Sequence, residues 1–408
     1  MKLLFLTQYF PPEVGAPQNR LYELAVRLQE KGADITILTA MPNYPQMEIH
    51  SAYKGKLYCS ETMNSMKVHR AWIYVSKSKA IVSRLLNYFS FVFTSLFIGL
   101  FKIKRQDILM VESPPLFLGI TAYMLSKAKG AKLVFNVSDL WPESAEKLGL
   151  VTNKSMLRLS TYLEEFCYKK AALISGQTQG ICSNISTRFP AKKVYWLKNG
   201  VDINYYNSNK AISFDWRKEN GFKADDFLLI YAGILGYAQG LEVILQAAKS
   251  FVNQANIKFI FLGSGPEKEK LKNISKDSQL NNIYFFEVVP KNQMQNILIS
   301  TNASIIPLRK LDLFKGAIPS KIFETLALKI PILLGVDGEA KELFIDKGNC
   351  GLYFEPENAG SLVEKINYLF NNRDSAKMLG NNGYNFVAVN FNRDLIANDF
   401  WNELNLIK

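Results

Sequence analysis

Short apolar runs of four to six residues recur along this chain, each followed by a polar or glycine-bearing stretch, and they alternate with longer segments in which apolar positions repeat at helical spacing. The short runs read as buried strands and the longer segments as amphipathic helices. In the first half, residues 2–7, 34–39, 108–111 and 132–137 read as strands, and 18–31 as a helix stopped by Gly32. In the second half, 227–231, 258–262, 283–286 and 303–307 read as strands, 241–251 as a helix, and a further helix follows Pro319. Alternation of this kind predicts doubly wound α/β domains with parallel sheets, and 408 residues exceed what one core fills, so two domains are expected. Asn199-Gly200 marks a tight turn where the patterning weakens, which puts the end of the first domain at residue 197 and a linker over 198–222.

One segment departs from the alternation. Residues 85–101 carry no charge, are rich in Phe, and are flanked by Arg84 on one side and Lys102, Lys104 and Arg105 on the other. Asn87, Ser90 and Thr94 form a weak polar stripe at spacings of three and four. Three readings stay open: a helix at a lipid interface, a buried core helix, and a membrane span that is slightly short.

Charge sharpens the division into halves. The net charge is +13, and residues 1–200 hold 26 Lys and Arg against 13 Asp and Glu, while 201–408 hold 23 against 23. The excess lies wholly in the first half and predicts an anionic partner there. No nucleic-acid motif accompanies it, so a membrane surface or a pyrophosphorylated acceptor is favoured over nucleic acid. The four cysteines are dispersed, which disfavours disulfides and zinc and favours a reducing compartment. The apolar start at residues 3–6 is too short for a secretory h-region and reads as the first buried strand.

The chemistry concentrates where strands end. Gly316-Ala317-Ile318-Pro319-Ser320-Lys321-Ile322-Phe323-Glu324 reads as a loop entering a helix, with Pro319 suited to its first turn. Amides of Ser320 and Lys321, with the Lys321 side chain, suit a phosphate, and Glu324 one turn on suits a ribose diol. An ordinary amphipathic helix with solvated Lys and Glu is the competing reading. Gly15, in the loop Gln8 to Arg20, lets backbone approach a ligand without the G-x-G-x-x-G of a dinucleotide fold, so NAD and FAD are disfavoured. Ser138, Asp139 and Glu143 follow an apolar strand, either at a site or as a turn cap with a solvated carboxylate. Gly233 and Gly236, then Gly263-Ser264-Gly265-Pro266, end the first two strands of the second half. There is no Asp-x-Asp and only His50 and His69, so the chemistry is expected to proceed without a metal or a His base.

Taken together, the Gly15 loop, Ser138-Asp139, Asn199-Gly200-Val201-Asp202, Tyr231-Ala232-Gly233, Gly263-Ser264-Gly265-Pro266 and Pro319-Ser320-Lys321 with Glu324 resemble a retaining glycosyltransferase of family 4. The resemblance spans essentially the whole chain. FPPEVGAPQNR, MPNYP, SDLWPES, AQGLE and PSKIFETLA are similar to the bacterial branch that adds N-acetylated amino sugars, N-acetylglucosamine or N-acetylfucosamine, in O-antigen and capsule synthesis. It implies a GT-B fold of two facing Rossmann-like domains with a cleft between them, the second over 223–385 holding the nucleotide, and a last helix over 386–408 returning to the first domain. It implies UDP-sugar as donor, with the uracil near Val288 and Val289, the ribose on Glu324, and the diphosphate at Ser320, Lys321 and Gly233, approached by Gly15.

Three departures qualify it. Ile234 and Gln239 stand where many members carry Arg and Lys, so Arg309 and Lys310 are taken as substitutes beside Lys321. Gly316 replaces the first Glu of a paired motif, and Ser138 stands where His is frequent, which leaves Asp139 beside the donor sugar. Glu13, Arg20 and Glu143 are assigned to the acceptor side. The implied reaction is metal-independent, needs no cofactor, and is catalysed by Lys321, Asp139 and Gly15. The acceptor is expected to be a polyprenyl-diphosphate-linked saccharide, reached by a cytoplasmic protein peripherally bound to the inner membrane. A soluble acceptor, or a membrane-associated UDP-sugar-binding protein without activity, are the alternatives.

Overall fold

The computed structural model describes residues 1–13, 15–44, 46–78, 80–147, 149, 151–206 and 215–408. Val14 of the first loop and residues 207–214 of the linker therefore lie outside the described residues. The chain divides into two compact units, Met1–Asn199 with Arg393–Lys408, and Gly200–Asn392.

The first unit is built on eight strands: β1 (Lys2–Leu6), β2 (Asp34–Ala40), β3 (Tyr58–Met63), β4 (Met66–Ala71), β5 (Ile108–Ser113), β6 (Lys132–Val137), β7 (Leu173–Gly176) and β8 (Val194–Trp196). Their order is β3-β4-β2-β1-β5-β6-β7-β8, parallel throughout except β3, which runs antiparallel to β4 at the edge. Helices cover both faces, so the central strands are apolar at nearly every position instead of alternating. In β1 the period of two sends Leu3 and Phe5 to one core and Leu4 and Leu6 to the other. Helix α1 (Ala16–Glu30) and the terminal helix Arg393–Ile407 cover the first core, where Phe400 stacks on Tyr195 and Arg27 pairs with Asp394 at 2.6 Å. Helices α2 (Ile81–Lys102) and α3 (Leu118–Lys129) and the helix Lys154–Lys170 cover the second.

The second unit has six parallel strands, β9 (Phe227–Ala232), β10 (Ile257–Leu262), β11 (Ile283–Phe286), β12 (Ala303–Pro307), β13 (Ile332–Gly335) and β14 (Gly351–Tyr353), in the order β11-β10-β9-β12-β13-β14. Strand order reverses between β1 and β5 in the first unit and between β9 and β12 in the second. Loops leaving neighbouring strands part at such points and leave a crevice at the carboxyl edge, where open α/β sheets take their ligands.

The sequence places Pro319 at the first helical position, but the helix runs Lys321–Ala327. Its entry is tightened by three-residue bonds, Ile322 N to Pro319 O at 3.1 Å and Phe323 N to Ser320 O at 3.3 Å, so Pro319 sits one short turn earlier. The apolar segment 85–101 lies inside the longer α2.

Candidate active site

In the second unit the carboxyl edge collects four of the elements singled out in the sequence. Gly233 follows β9, Gly263 and Gly265 follow β10, Val288 and Val289 follow β11, and Arg309 and Lys310 follow β12. The loops after β9 and β10 touch backbone to backbone. A Cβ on Gly263 would stand 2.0 Å from the Gly233 carbonyl oxygen, and one on Gly265 2.4 Å from that of Leu235, with φ at +147° and +154°. No side chain fits there, which is why both positions are glycine.

Lys321 reaches this edge from the start of its helix. Its Nζ lies 3.6 Å from the centroid of the Tyr231 ring and 3.0 Å from where a Cβ of Gly233 would be. The ring is fixed in turn, because the Tyr231 hydroxyl donates to the Ile234 carbonyl at 2.6 Å. Among the described residues Lys321 has no ion pair, and burial with no offsetting carboxylate pulls its ammonium down to about 7. Among the described residues the Tyr231 ring face is what offsets that cost. Arg309 and Lys310 differ. The Arg309 guanidinium stacks 3.8 Å above Tyr237 and lies within 3.7 Å of Glu242 and 3.5 Å of Glu357, and Lys310 pairs with Glu355 at 2.6 Å. Their charges are thus balanced by neighbours. Ser320 stands at the N-cap position without a side-chain bond to the first-turn amides, and Glu324, half-buried, lies in the first turn.

In the first unit the carboxyl edge holds a buried, charge-balanced network. Arg20 of α1 donates to Glu112 of β5 at 2.5 Å and to the Ser138 hydroxyl at 2.7 Å, and Ser138 donates in turn to Glu112. Asn136 of β6 donates to the other Glu112 oxygen at 2.5 Å and accepts from Ser175 of β7 at 2.7 Å. Arg20 and Glu112 are 7% and 5% exposed, so this is an interior ion pair. Asp139 comes next, with its Oδ2 accepting from Ser144 at 2.8 Å. The residue is exposed as a whole, but protein packed about its carboxyl raises the pKa above the ordinary value, with Ser144 and the Leu140 amide opposing the rise. Glu143 opens a short helix, Glu143–Lys147, and pairs with Lys147 at 2.6 Å.

Glu13 is also enclosed. Its carboxylate accepts from the amides of Asn43 at 2.7 Å, Tyr44 at 2.8 Å and Phe10 at 3.2 Å, which tie the loops after β1 and β2 together. Burial raises its pKa and those three amides oppose the rise. It lines a cavity of about 390 Å³ with Asn43, Tyr44, Glu48 and His50. Gly15 caps α1 in an extended conformation open to any residue, and a Cβ there would meet only the movable end of Gln18. Among the described residues no three His, Cys, Asp or Glu side chains are grouped to hold a metal ion.

Residues 213–386 match the family described as Glycosyl transferases group 1. The chain is 24% identical over 377 residues to the glycosyl transferase WcaI of Escherichia coli K12, whose name assigns it to colanic acid biosynthesis; 90% of this chain and 91% of that one are covered. It is 26% identical over 385 residues to TuaC of Bacillus subtilis 168, named for teichuronic acid biosynthesis, covering 90% and 88%. Among solved structures it superposes on sucrose-phosphate synthase of Thermosynechococcus elongatus with a TM-score of 0.76 at 14% identity, and on Anabaena HepE in complex with UDP and glucose with 0.72 at 16%, each over the full length of both chains. The fold is GT-B.

Within that GT-B glycosyltransferase fold, two features escape the sequence reading. In the sequence Tyr231 is only part of a strand-end motif, whereas in the fold its ring is the surface on which Lys321 rests. Glu112 belongs to no motif, yet a Glu inside the fully buried strand Ile108–Ser113 is a signal in itself, since burying a carboxylate demands a partner.

Proposed function

We propose that this chain is a retaining, metal-independent glycosyltransferase of family 4 that moves an N-acetylated hexosamine from a UDP-sugar to a polyprenyl-diphosphate-linked saccharide in cell-surface polysaccharide synthesis. The observation that carries the reading is Lys321: a cation at the carboxyl edge of a parallel sheet, without a carboxylate partner among the described residues, resting on an aromatic face beside backbone that only glycine allows. An arriving diphosphate supplies the missing counter-charge. The Ser320 and Lys321 amides add donors, Glu324 takes the ribose hydroxyls, and the backbone at Val288 and Val289 takes the base. HepE, bound to UDP and glucose on a similar fold, supports a nucleotide-sugar donor, and the names of WcaI and TuaC support a role in polysaccharide synthesis.

The departing diphosphate gains negative charge as the glycosidic bond breaks, so a cation fixed beforehand stabilises the transition state more than the ground state. Asp139 and Gly15 act on the sugar being transferred. Arg20, held by Glu112, positions the Ser138-Asp139 loop. Glu13 and Glu143 serve the acceptor, whose saccharide enters the cavity beside Tyr44. The protein works from the cytoplasm, bound peripherally to the membrane that carries the acceptor.

The test is incubation with a panel of UDP-sugars and membrane extract, reading UDP release and a heavier lipid-linked product. Release with one N-acetylated UDP-sugar and a product heavier by that sugar is expected. Calorimetry should show UDP binding weakened about tenfold or more in Glu324→Ala, the loss of two hydrogen bonds to a carboxylate. UDP binding with no turnover on any sugar would leave a binding protein and overturn the enzymatic reading.

A further inference from the structure

The outward face of α2 is the opposite of what a surface helix presents to water. A helix packed on a globular domain turns its apolar stripe inward and its polar residues outward. In α2 the polar residues point in: Asn87 donates to the Tyr74 carbonyl at 2.6 Å and accepts from Gln8 at 2.9 Å, Ser90 accepts from the Tyr74 amide at 2.8 Å, and Thr94 donates to the Trp72 carbonyl at 2.6 Å. The stripe left outside is Val82, Leu86, Phe93, Phe97 and Phe101, between 50% and 78% exposed. These positions recur every four or seven residues and therefore share one face of a helix about 33 Å long. Neighbouring helices extend the patch, with Met124 exposed on α3, and Leu159 and Tyr162 on Lys154–Lys170, which packs beside α3. Exposed apolar residues scattered singly are ordinary, whereas five on one helix, with further exposed apolar side chains on the helices packed beside it, mark a surface meant to be covered.

Charge says by what. Residues 62–106 hold eight Lys and Arg and no Asp or Glu. Lys102, Lys104 and Arg105 at the end of α2, Lys127 on α3 and Arg158 on the next helix are exposed, and none of them is in an ion pair among the described residues. A second copy of this chain would bring the same positive charge against itself. An anionic lipid surface satisfies both halves of the patch, taking the Phe side chains among its acyl chains and the cations at its headgroups.

We infer that α2, α3 and the Lys154–Lys170 helix form the seat of this protein on an anionic membrane leaflet, with α2 lying flat in the interface. This deepens the membrane-bound acceptor reading and rests on it for its purpose, though not for its evidence. α2 does not span. Its inward polar bonds tie it to the protein along its length, and Gly99 lets it press so close to α3 that a Cβ would stand 2.5 Å from Leu125. The same helix is bonded through Asn87 to Gln8 at the end of β1, the loop of which carries Glu13 and the cavity with Tyr44. A lipid-linked saccharide entering beside α2 would thus arrive next to the loop that lines that cavity.

The test is flotation of the full-length protein with vesicles of phosphatidylethanolamine and phosphatidylglycerol, against vesicles of phosphatidylcholine alone, with no sugar substrate present. Strong binding to the anionic vesicles, weakened by salt, is expected, with at least a tenfold loss in the double variant Phe93→Ser with Phe97→Ser and a smaller loss in Lys102→Ser with Lys104→Ser. UDP calorimetry on each variant checks that the fold is intact, and failure of vesicle binding with UDP binding retained would sink the seat while leaving the donor reading standing. Three further results overturn the proposal: equal binding by the Phe variant, a dimer in sedimentation that the Phe variant breaks while vesicle binding persists, or resistance of the membrane-bound protein to alkaline carbonate, which would mean a span.

Discussion

The two units solve the same problem at their carboxyl edges in opposite ways. Both are doubly wound parallel sheets, both reverse strand order beside the first strand, and both bring a basic residue from a helix to that point. In the first unit the residue is Arg20, and the fold supplies its counter-charge, Glu112, from inside β5. In the second it is Lys321, to which the described residues offer the face of Tyr231 and no carboxylate. A balanced pair is structure, because removing either member strands the other in the interior. An unbalanced, half-buried cation costs stability as it stands, and such a group at the carboxyl edge of a sheet is the arrangement the proposed diphosphate site requires.

The sharpest way to break this contrast is Lys321→Ala, for which kcat should fall about a hundredfold or more, the scale of losing one prepositioned donor to a developing negative charge. A kcat within a few-fold of wild type in a UDP-release assay would remove Lys321 from catalysis. Thermal unfolding reads the other side. Arg20→Met leaves Glu112 buried and unpaired and should destabilise by about 3–5 kcal/mol, whereas Lys321→Met, which removes an unpaired charge at similar volume, should raise Tm. That gain should be largest below pH 7. The folded-state pKa of Lys321 is lowered to about 7 against an unfolded value near 10.4, so the penalty is full below the lower value and is relieved as pH climbs toward the higher one.

Donor binding should carry the same signature in milder form. From pH 7 to 9 the free ammonium loses its proton while the UDP-bound one retains it, so affinity for UDP should fall by up to about tenfold per pH unit. Lys321→Arg, which stays charged, should flatten that slope in calorimetry run in buffers of different ionisation enthalpy. The smallest effect is expected at Arg309, whose charge Glu242 and Glu357 already meet. Arg309→Ala should change UDP affinity by less than about threefold, since a partly exposed, shared ion pair contributes little. A loss as large as that of Lys321→Ala would show the two cations acting together and erase the distinction between them.

The sequence by itself determined the elements and their alternation, because buried parallel strands must be apolar at nearly every position and a run such as Lys2–Leu6 has no other stable place. It also brought together the residues proposed for the donor, since Pro319, Ser320, Lys321 and Glu324 are close enough along the chain for helical spacing alone to group them. Only the tertiary structure decided which charges were already spoken for. Arg309 and Glu357 are 48 residues apart, and Arg20 and Glu112 are 92 apart, so no periodicity relates them. It decided likewise that Asn87, Ser90, Thr94 and Phe91 face the protein while Phe93, Phe97 and Phe101 face out. Helical spacing fixes which residues share a face of α2, but which face is covered depends on the strand segment and the neighbouring helix that arrive from elsewhere in the chain.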